Sequence, residues 1–102
     1  MKECCRQYLT EQFKDDPDVV DAIYAEYVSS IGAKMAEADA ALAAGAWDTL
    51  DRAAHTVKGN ALAAGDNEMA DAAIQLRKVT QLQDAAQAGE LIGRMQELSE
   101  LL

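Results

Sequence analysis

Apolar residues recur at intervals of three and four almost from end to end of this chain, and nowhere do β-branched residues alternate as they would in a half-buried strand. An α-helix turns every 3.6 residues, so this spacing gives each segment one apolar stripe and leaves charge on the opposite face. The pattern predicts an all-α fold. A short helix over residues 3 to 14 places Cys5, Tyr8, Leu9 and Phe13 near one face. Asp16-Pro17 then supplies an N-cap and a proline at the first helical position. The second helix turns Val20, Ile23, Tyr24, Tyr27, Ile31, Met35, Ala38 and Leu42 inward and ends at Gly45, a residue suited to a left-handed C-cap. Gly32 interrupts it, which suggests a bend or a close approach by a neighbouring helix. A third helix runs from about 47 to 64. Gly65-Asp66 reads as a stop and a new N-cap, opening a fourth helix with Met69, Ala72, Ala73, Leu76 and Val79 inward. Asp84 with Gln87 resembles a capping box and opens a fifth, with Ala88, Leu91, Ile92, Met95, Leu98 and Leu102 inward. The short connections imply an up-down antiparallel four-helix bundle with a short additional N-terminal helix.

One core is expected from 102 residues, and no proline, glycine or low-complexity tract divides them, so residues 1–102 read as a single domain. No apolar run approaches the ~20 residues of a membrane crossing. The polar start, Met1-Lys2-Glu3-Cys4-Cys5-Arg6, is unlike a secretory signal, and two adjacent cysteines make no disulfide framework, so a reducing cytoplasm is the expected setting. With 18 acidic residues against 9 basic ones, a net charge of −9 repels a nucleic-acid backbone. Cys4 and Cys5 lack partners at metal-ligand spacing and read as partly buried thiols, with no metal site expected. Trp47 reads as closing the bundle end, with a place at the rim of a partner interface as the alternative, and Gly89 with Gly93 as permitting close helix contact.

The chain holds one histidine, His55. On the third helix Leu50, Ala53, Ala54, Val57, Ala61 and Ala64 fall within ~100° of arc and define the buried stripe. His55 lies ~140° from the centre of that stripe and so faces solvent. Asp48, Asp51 and Arg52 precede it by one or two turns. Lys58, three residues on, shares its face, and Gly59, four residues on, leaves the ring uncrowded. A mid-helix glycine costs about 1 kcal/mol relative to alanine, so it asks for a reason. Clearance for a second protein is one.

The run Ala54-His55-Thr56-Val57-Lys58-Gly59, with Gly65 six further on, resembles the histidine-containing phosphotransfer domains. The acidic stretch around Asp15-Asp16-Pro17, the long helix to Gly45 and the helix after the motif extend the resemblance over nearly the whole chain. Two positions depart from the family's pattern. Seven residues after the histidine the family usually has a small side chain where this chain has Leu62, open to reading as a partner contact, a partial cover over His55 or packing under the next loop. Asn60 stands where serine or alanine is more usual.

The resemblance implies that His55 carries a phosphoryl group to and from aspartates of response-regulator receiver domains, with Lys58 stabilising its charge and Gly59 giving steric clearance. Asp51, Arg52 and Leu62 are the expected partner-binding residues, and Arg77 is a further candidate for reaching the phosphoryl group. The receiver would bring the Mg²⁺, and this chain needs no cofactor of its own. A hybrid sensor histidine kinase is a further expected partner, and the chain itself is expected to be a monomer. It has no Gly-rich phosphate loop and no acidic cluster suited to a nucleotide-bound metal, so neither ATP binding nor autokinase activity is expected. The start at Met1 favours a free-standing protein over a piece of a hybrid kinase. Two rival readings are a module of the same fold that docks a receiver or kinase without accepting phosphate, and a purely structural helical bundle.

Overall fold

The computed structural model of the chain describes residues 1–14 and 16–102; Asp15, part of the acidic stretch noted above, lies outside the described residues. Five helices follow in order: α1 (Glu3–Gln12), α2 (Pro17–Ala44), α3 (Trp47–Ala64), α4 (Asn67–Leu82) and α5 (Ala85–Glu100), with no strand among the described residues. α2 packs on α3, α3 on α4, α4 on α5 and α5 back on α2, while α1 lies across α2 and α3. Twenty-eight residues of α2 rise ~42 Å, which sets the 45 Å long axis of the molecule.

The helix ends follow the local chemistry. Asp16, Asp66 and Asp84 cap α2, α4 and α5, each carboxylate accepting from the backbone N–H three residues on. Gln87 does not reach back to the cap backbone as in a capping box; its side-chain amide donates to the Asp84 carboxylate at 3.0 Å. Gly45 and Gly65 end α2 and α3 with φ of +66° and +76°. At Gly65 a Cβ would also run into the side chain of Tyr8, so that turn and α1 fit only around glycine. Gln83 takes the same left-handed role after α4.

The core is built largely from small side chains. All six residues of the α3 stripe are buried, and Ala70, Ala72 and Ala73 meet them from α4, so flat alanine faces let these helices pack closely. Ile31, Leu50, Met69, Leu76 and Met95 fill the space between. Ile23, Leu42, Leu91 and Leu102 are only partly buried at the edge of this core, and Trp47 packs against it. On the short α1, Cys5 and Leu9 are buried, whereas Tyr8 and Phe13 stay partly exposed. The close helix approaches expected at Gly32, Gly89 and Gly93 are absent among the described residues. Added Cβ atoms at Gly32 and Gly93 would meet nothing within 4 Å, and one at Gly89 would make ordinary contact with Leu42, so none of the three marks a close helix approach.

Asp66 does more than cap α4. It is fully buried, and its carboxylate also accepts from Lys2 Nζ at 2.8 Å and from the Tyr27 hydroxyl at 2.7 Å. The Lys2 backbone N–H donates to the Tyr24 hydroxyl, which in turn donates to the Leu102 carbonyl. Both chain ends, α2 and the α3–α4 turn thus meet in one polar knot.

The knot and its neighbours raise three proton affinities. Burial above all, with Cys4 and Asp66 adding, pushes the Cys5 thiol from 9.0 up to about 12. Burial and the Asp66 hydrogen bond push the Tyr27 phenol up. Burial opposes the charge on Lys2, but the hydrogen bond and charge of Asp66 outweigh it and hold the ammonium above 10.5. Each group keeps its proton in the folded chain at a pH where the unfolded chain has begun to release it. Their stabilisation is therefore complete below the unfolded values and is lost as pH rises through the folded ones. Denaturation midpoints in urea are expected to fall between about pH 9 and about pH 12, and a flat profile there would contradict this reading.

Candidate functional site

α3 is continuous helix through its only histidine, so the side-chain directions at 51, 52, 55, 58, 59 and 62 follow from helical rotation alone. His55 stands exposed on the face opposite the alanine stripe. Its Nδ1 lies 3.0 Å from Arg77 Nη1 on α4. Nε2 has no hydrogen-bond partner among the described residues, and the ring is exposed.

Arg77 is itself held. Its Nε donates to Asp51 Oδ1 at 3.1 Å, and the same oxygen accepts from the Thr80 hydroxyl at 3.2 Å. That hydroxyl also lies 2.7 Å from the Arg77 carbonyl, one helical turn back. Asp51 and His55 are four residues apart on α3 and Arg77 and Thr80 three apart on α4, so each pair shares a face, and the two faces meet. The Arg77 hydrogen bond is the main reason the Asp51 carboxyl stays below its usual range; partial burial works against it, while the Arg77 charge, Thr80 and His55 add to the lowering.

Lys58 lies one turn beyond His55 and lines a shallow groove with Asp51, Ile74, Arg77, Lys78 and Gln81. It makes no ion pair among the described residues, which leaves its ammonium available. Arg52 is exposed one turn before His55, beside a depression shared with Trp47, Asp48 and Gln83. Four of the nine basic residues of a chain with net charge −9 therefore lie on this side. Gly59 is exposed, and a Cβ there would meet nothing within 4 Å. Packing within the chain gives no reason for the glycine.

Leu62, two turns on, is 49% exposed and lies in a depression with Tyr8, Glu11, Gly65 and Asn67, at the α1 end of the face. It does not seal the imidazole. Asn60 donates to the Ser30 hydroxyl at 2.6 Å and ties α3 to α2. Sequence reasoning named His55, Lys58, Gly59, Asp51, Arg52, Leu62 and Arg77 but missed Thr80, whose only signal is its spacing from Arg77 once α3 and α4 are set in register.

The family model of the Hpt domain matches residues 22–102. No curated protein and no solved structure was found to match the chain. The match spans all of α3 to α5 and most of α2, and the chain belongs to the Hpt domain family. Hpt domains serve histidine phosphotransfer in phosphorelays and interact with receiver domains and kinases of two-component systems.

Proposed function

We propose that this chain relays phosphate through His55, taking a phosphoryl group from the aspartyl phosphate of one receiver domain and passing it to the aspartate of another. The observation that carries the proposal is an exposed imidazole, the only one in the chain, on a helix face with a lysine that makes no ion pair among the described residues at one side and open space over a glycine at the other. A neutral imidazole is a nucleophile near neutral pH, and its phosphoramidate is a reactive donor, so one side chain serves both directions. Transfer through a loose transition state needs chiefly alignment and charge stabilisation. The carrier can then be chemically sparse: α3 of an up-down bundle presents the nitrogen, Lys58 meets the developing phosphoryl charge, and Gly59 admits the partner. The receiver contributes its aspartate and Mg²⁺, and Arg52 and Leu62 flank the docking face of a monomeric carrier in the cytoplasm.

Incubation with a phosphorylated receiver domain is expected to place an acid-labile, base-stable phosphoryl group on the wild-type chain and none on His55→Gln. Equal labelling of His55→Gln would reject the proposal. Lys58→Ala is expected to slow transfer about tenfold, the worth of one charge-assisted contact at an open site. Because Lys58 makes no ion pair among the described residues, the melting temperature should not move, and an unchanged transfer rate would remove Lys58 from the mechanism.

A further inference from the structure

The contact between Arg77 and His55 carries a consequence that depends on which of the two groups can donate. A guanidinium has N–H donors and no acceptor, and it does not lose its proton in proteins. The nitrogen 3.0 Å from it must therefore offer a lone pair. In a neutral imidazole only one nitrogen has a lone pair in the ring plane, so Arg77 at Nδ1 leaves the proton on Nε2. That is the nitrogen without a hydrogen-bond partner among the described residues, on an exposed ring. The resting ring thus shows a receiver its N–H, while its nucleophilic lone pair is engaged by Arg77.

We infer that Arg77 is a positioning residue that holds His55 in the unreactive tautomer and thereby slows phosphoryl exchange in both directions. The inference rests on the carrier reading above. For Nε2 to attack, the ring must first hold its proton on Nδ1, which requires the Arg77 contact to open. The Nε2 lone pair then forms the N–P bond as the P–O bond to the donor aspartate breaks, its electron pair leaving with the carboxylate. The ring is at that moment an imidazolium with a proton on Nδ1, and loss of that proton to water restores a neutral ring with a lone pair at Nδ1. Arg77 can then close on it again. In the reverse direction, protonation of Nδ1 makes the imidazole a better leaving group, and a guanidinium at that nitrogen opposes it. Arg77 accordingly fits both resting states and disfavours the charged ring between them.

Arg77 is anchored from behind. Asp51 takes Nε of Arg77 at 3.1 Å and is itself held by Thr80, which is only 4% exposed. The guanidinium is fixed at its inner edge, and Nη1 is the arm that meets the ring.

A glutamine at position 77 can present a carbonyl oxygen to Nδ1–H, whereas a lysine is donor-only like arginine. Long-range proton–nitrogen correlation spectra at about pH 8.5, above the ~6.5 of an ordinary imidazole, read the tautomer directly, and one histidine makes the assignment unambiguous. The wild type and Arg77→Lys should show Nε2 protonated and Nδ1 bare, and Arg77→Gln should shift the proton toward Nδ1. Arg77→Gln should also accept phosphate from a receiver, and return it, about tenfold faster, with the equilibrium between carrier and receiver unchanged. A wild-type ring with its proton mainly on Nδ1, or an Arg77→Gln chain that transfers more slowly, would overturn the inference. A chain that takes up no phosphate would refute the carrier reading instead, and the tautomer spectra alone would still decide whether Arg77 sets the ring.

Discussion

Gly59→Leu is expected to make the fold more stable and the protein a far worse phosphoryl carrier. Glycine inside a helix costs about 1 kcal/mol relative to good helix formers, and nothing lies within 4 Å of the missing Cβ, so leucine gains propensity without a clash. The melting temperature should rise. The same side chain would project from the helix one turn beyond His55, into the space through which a receiver's aspartyl phosphate must come. In-line transfer tolerates little misplacement, and an error near 1 Å costs on the order of 100-fold in rate. Transfer from a phosphorylated receiver should fall by at least that factor in Gly59→Leu and far less in Gly59→Ala. Opposite signs for stability and activity separate this role from a packing defect, which would lower both. Normal transfer by Gly59→Leu would show that no partner passes over this position.

The largest effect on the fold itself is expected at Asp66. Truncation to alanine leaves the Lys2 ammonium, whose side chain is 13% exposed, with only the exposed Glu68 carboxylate at 3.7 Å, and strands the Tyr27 hydroxyl and the first turn of α4. Removing one member of a buried ion pair costs about 3–5 kcal/mol, against a total stability of roughly 5–15 kcal/mol for a small domain. Asp66→Ala should therefore be partly unfolded at 37 °C. Asp66→Asn keeps a capping oxygen and an acceptor for Tyr27 and should lose less. Adding Lys2→Met to Asp66→Asn should recover part of that loss, because no largely buried ammonium is then left beside a neutral amide. Urea denaturation of the three variants checks the order. A cost under ~1 kcal/mol for Asp66→Ala would mean that the knot does not hold the chain ends.

Asp66 also shows where sequence reasoning stops. Its capping role was legible, because an aspartate after a glycine and three residues before an apolar position is a local signal. Its ion pair was not, since Lys2 and Tyr27 lie 64 and 39 residues away and no periodicity reports on such separations. The α3 stripe was legible to the last residue, because alanine and valine alternate there with charge at a clean helical period. That same clarity placed His55 outside the core before any coordinates. Gly32 and Gly93 misled, because a glycine's cost in a helix is visible in sequence while the emptiness beside it is not. Tyr8 stood on the right face of α1, but only coordinates show it filling the space over Gly65. At the site, Arg77 came forward as a charge near the histidine; its geometry puts it on the imidazole, steadied by Asp51 and Thr80.

A phosphoryl carrier of this design requires that a nitrogen of His55 take up phosphate from another protein. The direct measurement is intact mass, followed by peptide mapping, of the wild-type chain after mixing with a receiver domain charged by a small-molecule phosphodonor. The expected result is a gain of one phosphoryl group, located on His55, lost in mild acid and kept in base. A chain whose mass never changes while the receiver remains phosphorylated, or a phosphoryl group found on any other residue, would contradict it.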